Sequence, residues 1–171
     1  MKDVLLALSI CLGACTSIVP STLLQLQGLD PLSADPADIA LRVDLPDGVA
    51  LLPGSGTLDL RAARGNGAET SGGFPVEMAG DVLRVAPAAH ADLRALQAEI
   101  RAWKAADPDG TKGSLSVDFE PCRLGATLPE IGKVSIYIRL AADGPFLPLV
   151  KDAPIDDALE SVAQDPLKPC V

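Results

Sequence analysis

Aromatic side chains are scarce: one Trp, one Tyr and three Phe in 171 residues. Sites that bind saccharides by ring stacking therefore have little to draw on. Histidine is scarcer still, with His90 alone. Together with the lack of a Cys-x-x-Cys pair, this makes a structural zinc site a poor fit. No basic run occurs, and 23 acidic residues outnumber 14 basic ones for a net charge of −9. Nucleic-acid binding lacks its electrostatic footprint, and a polybasic membrane patch is missing too. The pattern Gly-x-Ser-x-Gly is absent, as are phosphate loops, dinucleotide fingerprints and metal-protease motifs. The one long apolar run, residues 4–14, is about 11 residues, short of the roughly 20 needed to span a bilayer.

That short run has a use. Lys2 stands in front of it and small residues, Gly13 and Ala14, close it. A charged start, an apolar middle and a small-residue end are the three parts of a secretory signal peptide. These features alone also fit ordinary cleavage after Ala14. The residues Leu12-Gly13-Ala14-Cys15, however, resemble the lipobox of bacterial lipoproteins. The resemblance covers residues 1–15 only. It implies that residues 1–14 are a signal peptide and that the Cys15 thiol receives a diacylglycerol. Cys15 then becomes the first residue of the mature chain, and two or three acyl chains suffice for stable anchoring. Thr16 follows where the enterobacterial retention signal has Asp. The resemblance therefore implies an outer-membrane anchor with the domain facing the periplasm.

Residues 15–36 read as a lipidated tether, broken by Pro20, Gly28, Pro31 and Pro36. Its leucines (Leu23, Leu24, Leu26, Leu29 and Leu32) are too many for a purely solvated linker. Part of it is expected to lie against the domain or to add a short strand. Residues 37–171 are read as one β-rich domain, of ordinary domain size. Cys11 leaves with the signal and Cys15 takes the lipid, so Cys122 and Cys170 remain. In an exported chain such a pair points to a disulfide closing a loop of about 50 residues. A metal pair or two free thiols are the competing readings.

The domain alternates. Residues 38–45 set Ile39, Leu41, Val43 and Leu45 on one face, with Asp38, Arg42 and Asp44 on the other. Residues 114–120 and 133–140 alternate as clearly. Shorter strands are expected at 49–52, 57–61, 74–78, 81–86 and 146–150, with residues 64–73 as a loop. Residues 87–106 predict the one strong helix, with Pro87 at its start and Leu93, Leu96, Ile100 and Trp103 as an apolar stripe. Ala91, Ala95, Ala98 and Ala102 fall on the opposite side, where helix propensity on a solvent face accounts for them. A short helix is expected at 156–163. The pattern indicates a mainly β fold: a small antiparallel β-sandwich, immunoglobulin-like or transthyretin-like in architecture, with one inserted helix. An α+β sheet is the alternative.

Three sets of residues invite chemistry. His90 could act as a base, but no nucleophile stands in a recognisable context. Asp107, Asp109 and Asp118 occupy three positions of a calcium loop, yet Lys112 replaces the glycine such a loop needs. Asp118 and Glu120 share a strand face, and solvation explains them as well as acid–base work does. No catalytic residue, metal or cofactor is expected. The expectation is a non-enzymatic envelope lipoprotein acting as an interaction or accessory module. It would dock on an envelope protein through a sheet edge or the back of the helix. A small-ligand or lipid carrier is the alternative, and a hydrolase ranks last.

Overall fold

The computed structural model describes residues 30–125, 132–154 and 167–170. It is mainly β, with nine strands and one α-helix among the described residues: β1 (Ala40–Asp44), β2 (Val49–Leu51), β3 (Thr57–Arg64), β4 (Glu69–Ala79), β5 (Val82–Val85), α1 (His90–Ala106), β6 (Thr111–Asp118), β7 (Pro121–Arg123), β8 (Lys133–Arg139) and β9 (Leu147–Pro154). Seven strands form one curled antiparallel sheet in the order β6-β3-β4-β5-β1-β8-β9, and β2 pairs with β7 in a small second sheet. The expected short helix at 156–163 lies outside the described residues, as does Cys15.

The sheet curls at a proline. Residues 69–75 of β4 pair with β3, ending at Thr57↔Pro75, and residues 76–79 pair with β5, beginning at Val76↔Val85. Pro75 has no N–H to give a ladder, so it sits where the strand changes partners. A strand that serves two sheet segments through a bend is how a sandwich turns its corner. The concave face collects the apolar side chains: Leu58, Leu60, Phe74, Val76, Leu41, Leu83, Val85 and Ile138 are all buried there. Two covers lie over it. α1 packs on β3, β4 and β6 through Leu93, Leu96 and Ile100. The β2–β7 sheet covers the other end, where Val49, Val134 and Leu167 form a second small cluster.

The helix opens with a 3-10 turn, Pro87–Ala89, and continues from His90. Its alanines 91, 95, 98 and 102 are all exposed. Three polar side chains fasten the incoming chain to it. The amide of Gln97, itself buried, donates to the carbonyls of Pro31 (2.8 Å) and Ala34 (3.0 Å). Arg101 donates to the Leu32 carbonyl. Arg94 pairs with Asp35 at 2.7 Å. The Ala37 backbone N–H and then Arg94 hold the Asp35 carboxyl below its ordinary value. Leu32 and Pro36 are buried beneath this strap. Residues 30–36, at the end of the expected tether, are thus packed on the domain.

Three local differences have physical reasons. The stretch 64–73 is expected as a loop because Gly, Ser and Asn dominate it. Instead β4 begins at Glu69, and only a tight turn remains, held by Gly67 N–H to Arg64 O at 2.9 Å. The strand exists because β3 supplies seven consecutive partners for it. Met78, which points the same way along β4 as buried Phe74 and Val76, is 60% exposed, because the concave face is uncovered at that point. β7 is a strand through its pairing with β2, and it carries no alternation of its own.

Candidate functional site

The uncovered point is the mouth of a groove. Beside the β2–β7 layer the concave face stays open as a cavity of about 300 Å³, lined by no residue of α1. Its floor is Leu41, Val43, Leu45, Val76 and Leu83 from β1, β4 and β5 and the residue after β1. Its far wall is residues 50–56, the end of β2 and the turn after it, together with Phe119. Met78 and Asp81, both exposed, flank the mouth.

The wall is held stiffly. Leu52 N–H donates to Glu120 O at 2.8 Å. The Ser55 hydroxyl donates to Leu52 O at 2.8 Å and accepts from Glu120 N–H at 3.0 Å. Val76 N–H donates to Gly56 O at 3.0 Å. Gly56 is needed for this approach, since a Cβ there would collide with Val76 Cγ2. Gly54 holds φ at 76°, a conformation side chains rarely adopt. Ser55 is therefore committed to structure on both sides and offers no activated hydroxyl. The groove has one carboxylate at its rim, and apart from Phe119 and the Ser55 hydroxyl its side chains are aliphatic. Such a surface binds apolar groups by burial, at about 25 cal/mol per Å².

The residues singled out from the sequence lie elsewhere. His90 Nε2 stands 3.0 Å from the Val85 carbonyl. A carbonyl only accepts, so Nε2–H donates, and the ring fastens the helix start to β5. Asp107 Oδ1 accepts from Gly110 N–H, three residues on, at 2.9 Å, closing the turn after the helix. That bond explains the Asp-Gly spacing without a cation. Among the described residues no three His, Cys, Asp or Glu side chains gather as a metal cluster. Asp118 ends β6, and Glu120 lies beyond the strand with its backbone tied to the groove wall. The two carboxylates therefore do not share a regular strand face.

Cys122 and Cys170 are together, at disulfide distance: the sulfurs are 2.08 Å and the Cα atoms 5.0 Å apart. The pair lies behind the groove wall, on the small sheet. Cys170 N–H donates to Arg123 O and Arg123 N–H to Lys168 O, both at 2.9 Å, so residues 168–170 run beside β7. The groove itself leaves little mark on the sequence. Its only sequence signal is Val49-Ala50-Leu51-Leu52-Pro53, more apolar than a short strand and turn require. No described helix is long and apolar enough to cross a membrane. No protein-family model, curated protein or solved structure matches the chain.

Proposed function

We propose that the protein is a lipid-anchored envelope module with no enzymatic activity, which grips an aliphatic side-chain cluster of a protein partner in the groove. The groove over Leu41, Val43, Leu45 and Leu83 carries this reading. At about 300 Å³ it stands at the low end of small-molecule pockets, about 300–1,000 Å³. That size suits one or two inserted side chains. Exposed Met78 extends the apolar surface outward, and methionine adapts readily to partner surfaces. Asp81 at the mouth and a net charge of −9 oppose a free fatty acid, whose carboxylate would remain at the rim. The aliphatic lining favours one second reading, a carrier for a short uncharged lipid.

The anchor is Cys15, bearing diacylglycerol after removal of residues 1–14, at the outer membrane on the periplasmic side. Cys122 and Cys170 form a disulfide in that compartment. Intact mass of protein extracted from bacterial membranes tests both statements. The expected mass is residues 15–171 with two or three acyl chains, lighter by two hydrogens before reduction than after. A full-length or unlipidated mass overturns the anchor.

The groove is tested by placing a photo-crosslinker at Met78 in the full chain. One discrete protein adduct is expected in the envelope. It should be lost in Leu45→Asp and not form from a crosslinker at Ala98 on the back of α1. A lipid adduct of Met78 in place of protein overturns the protein-docking reading in favour of the carrier.

A further inference from the structure

The two rims of the seven-stranded sheet are built differently. β9 is blunted. It contains Pro148 and Pro154, its register against β8 shifts twice, and Asp152 adopts φ 51°. These are devices that stop a rim from pairing with another chain. β6 has neither a proline nor a register shift. It pairs with β3 through eight consecutive residues, from Arg64↔Thr111 to Thr57↔Asp118. Among the described residues no strand pairs with its other side. An antiparallel partner uses only alternate N–H and C=O groups of a strand, so the remaining groups of β6 point along the sheet, away from β3.

We infer that β6 pairs with β6 of a second copy of this chain, antiparallel across a two-fold axis at Leu115, so that one sheet runs through both protomers. The side chains are self-complementary in that register. Leu115 faces its own copy, Ser114 faces Ser116, Gly113 faces Val117, and Lys112 faces Asp118. Lys112, Ser114, Ser116 and Asp118 are exposed and alternate with half-buried Leu115 and Val117. The two faces of the strand thus stay matched across the axis. Neither Lys112 nor Asp118 has an ion-pair partner within its own chain among the described residues. Pairing supplies one to each, twice over by symmetry.

The charges also select the register. The smallest shift that keeps the faces matched is two residues. It sets Lys112 against Ser116, or against Glu120 beyond the end of the strand, in which case Asp118 faces Ser114 and has no cation opposite. Opposite charges directly across a strand pair stabilise it, and like charges destabilise it. Gly113 facing Val117 leaves room for the branched side chain. This contact is separate from the groove, which opens over β1, β4 and β5, so the two proposals fail independently.

The full chain tests it. Leu115→Cys should cross-link to itself under mild oxidation, while Val117→Cys, which faces Gly113, should not. By sedimentation velocity, Lys112→Asp and Asp118→Lys should each weaken dimerisation about tenfold or more, since each places like charges opposite one another at two points. The double variant K112D/D118K should restore it to within about threefold of the parent. Leu45→Asp in the groove should leave dimerisation unchanged. The inference is overturned by a monomer at every concentration, by equal cross-linking of both cysteine variants, or by a double variant as weak as the singles. Concentration-independent protection of the β6 amides from hydrogen exchange also overturns it, because another segment would then cover the rim.

Discussion

Ile100→Ala is expected to destabilise the domain by about 3 to 5 kcal/mol, the upper part of the range for truncating a buried aliphatic side chain. Ile100 is wholly buried, in the middle of the stripe by which α1 covers the concave face. Its surroundings cannot close over a loss. Leu58 and Leu60 belong to a strand paired on both sides, so neither can shift without breaking a ladder. On the remaining side is a cleft of about 110 Å³, lined by Leu32, Leu60, Leu115 and Lys104 as well as Ile100. Truncation enlarges that cleft, and no side chain is free to fill it. Domains carry about 5 to 15 kcal/mol in all, so this substitution removes a large share. Urea unfolding reads it as a lower midpoint with an unchanged slope. A loss under about 1 kcal/mol would mean that the helix contributes little to holding the sheet's curl. The consequence for function is indirect: α1 covers the same concave face but contributes no residue to the groove's lining, so the Met78 adduct should weaken only as the folded fraction falls.

The fold class was legible because alternation records burial. β1, β6 and β8 face a covered concave side and an open convex side, and their sequences carry both in period two. The helix was legible for the same reason at period 3.6. β4 was only half legible. Its apolar half, Phe74 and Val76, alternates, but Glu69-Thr70-Ser71-Gly72-Gly73 has the composition of a turn. It becomes a strand because its neighbour supplies a ladder. Such a strand is made by tertiary pairing and leaves almost no local trace. Gly72 shows the cost of the site, since a Cβ there would meet the Phe74 ring. β7 is an equally non-local case. The strap over residues 30–37 was half legible too. Its leucines announced contact, but the carbonyls of Pro31, Leu32 and Ala34 that Gln97 and Arg101 hold carry no side-chain signal.

The groove was the least legible feature, for a geometric reason. It is defined by where the β2–β7 cover stops short over the concave face, and a gap has no residue type. Leu41, Val43 and Leu83 look like core because most of their surface is core. Met78 looks like core and is not, because neither α1 nor the β2–β7 layer reaches it. The candidates that did stand out, His90 and Asp107, stood out by rarity and spacing. The structure gives each a backbone partner: the Val85 carbonyl for the imidazole and the Gly110 N–H for the carboxylate.

Replacing Cys122 and Cys170 together by alanine is expected to cost about 4 kcal/mol, the chain-entropy value for a crosslink spanning 48 residues. The loss should fall on one part of the molecule first. A two-stranded sheet is marginal by itself, and β2–β7 has three residues in each strand. What steadies it is the tail. Arg123 exchanges backbone bonds with Lys168 and Cys170 and donates from Nε to the Leu167 carbonyl at 3.0 Å. Leu167 is buried against Val49 and Val134. A bond between the two sulfurs would keep residues 167–170 in that place. β2 runs directly into residues 50–56, the far wall of the groove, so releasing the tail loosens the wall before it unfolds the main sheet. Amides of 49–56 and 121–123 should therefore exchange faster in C122A/C170A at temperatures where those of β1, β3 and β8 remain protected. Reductant should bring the parent protein to the same behaviour. The Met78 adduct should fall in the double variant more steeply than in Ile100→Ala at equal overall stability, because the cysteine pair supports the wall itself. If reductant changes neither the unfolding midpoint nor exchange at 49–56, the two cysteines are free thiols in the isolated protein and the wall is held by hydrogen bonds alone.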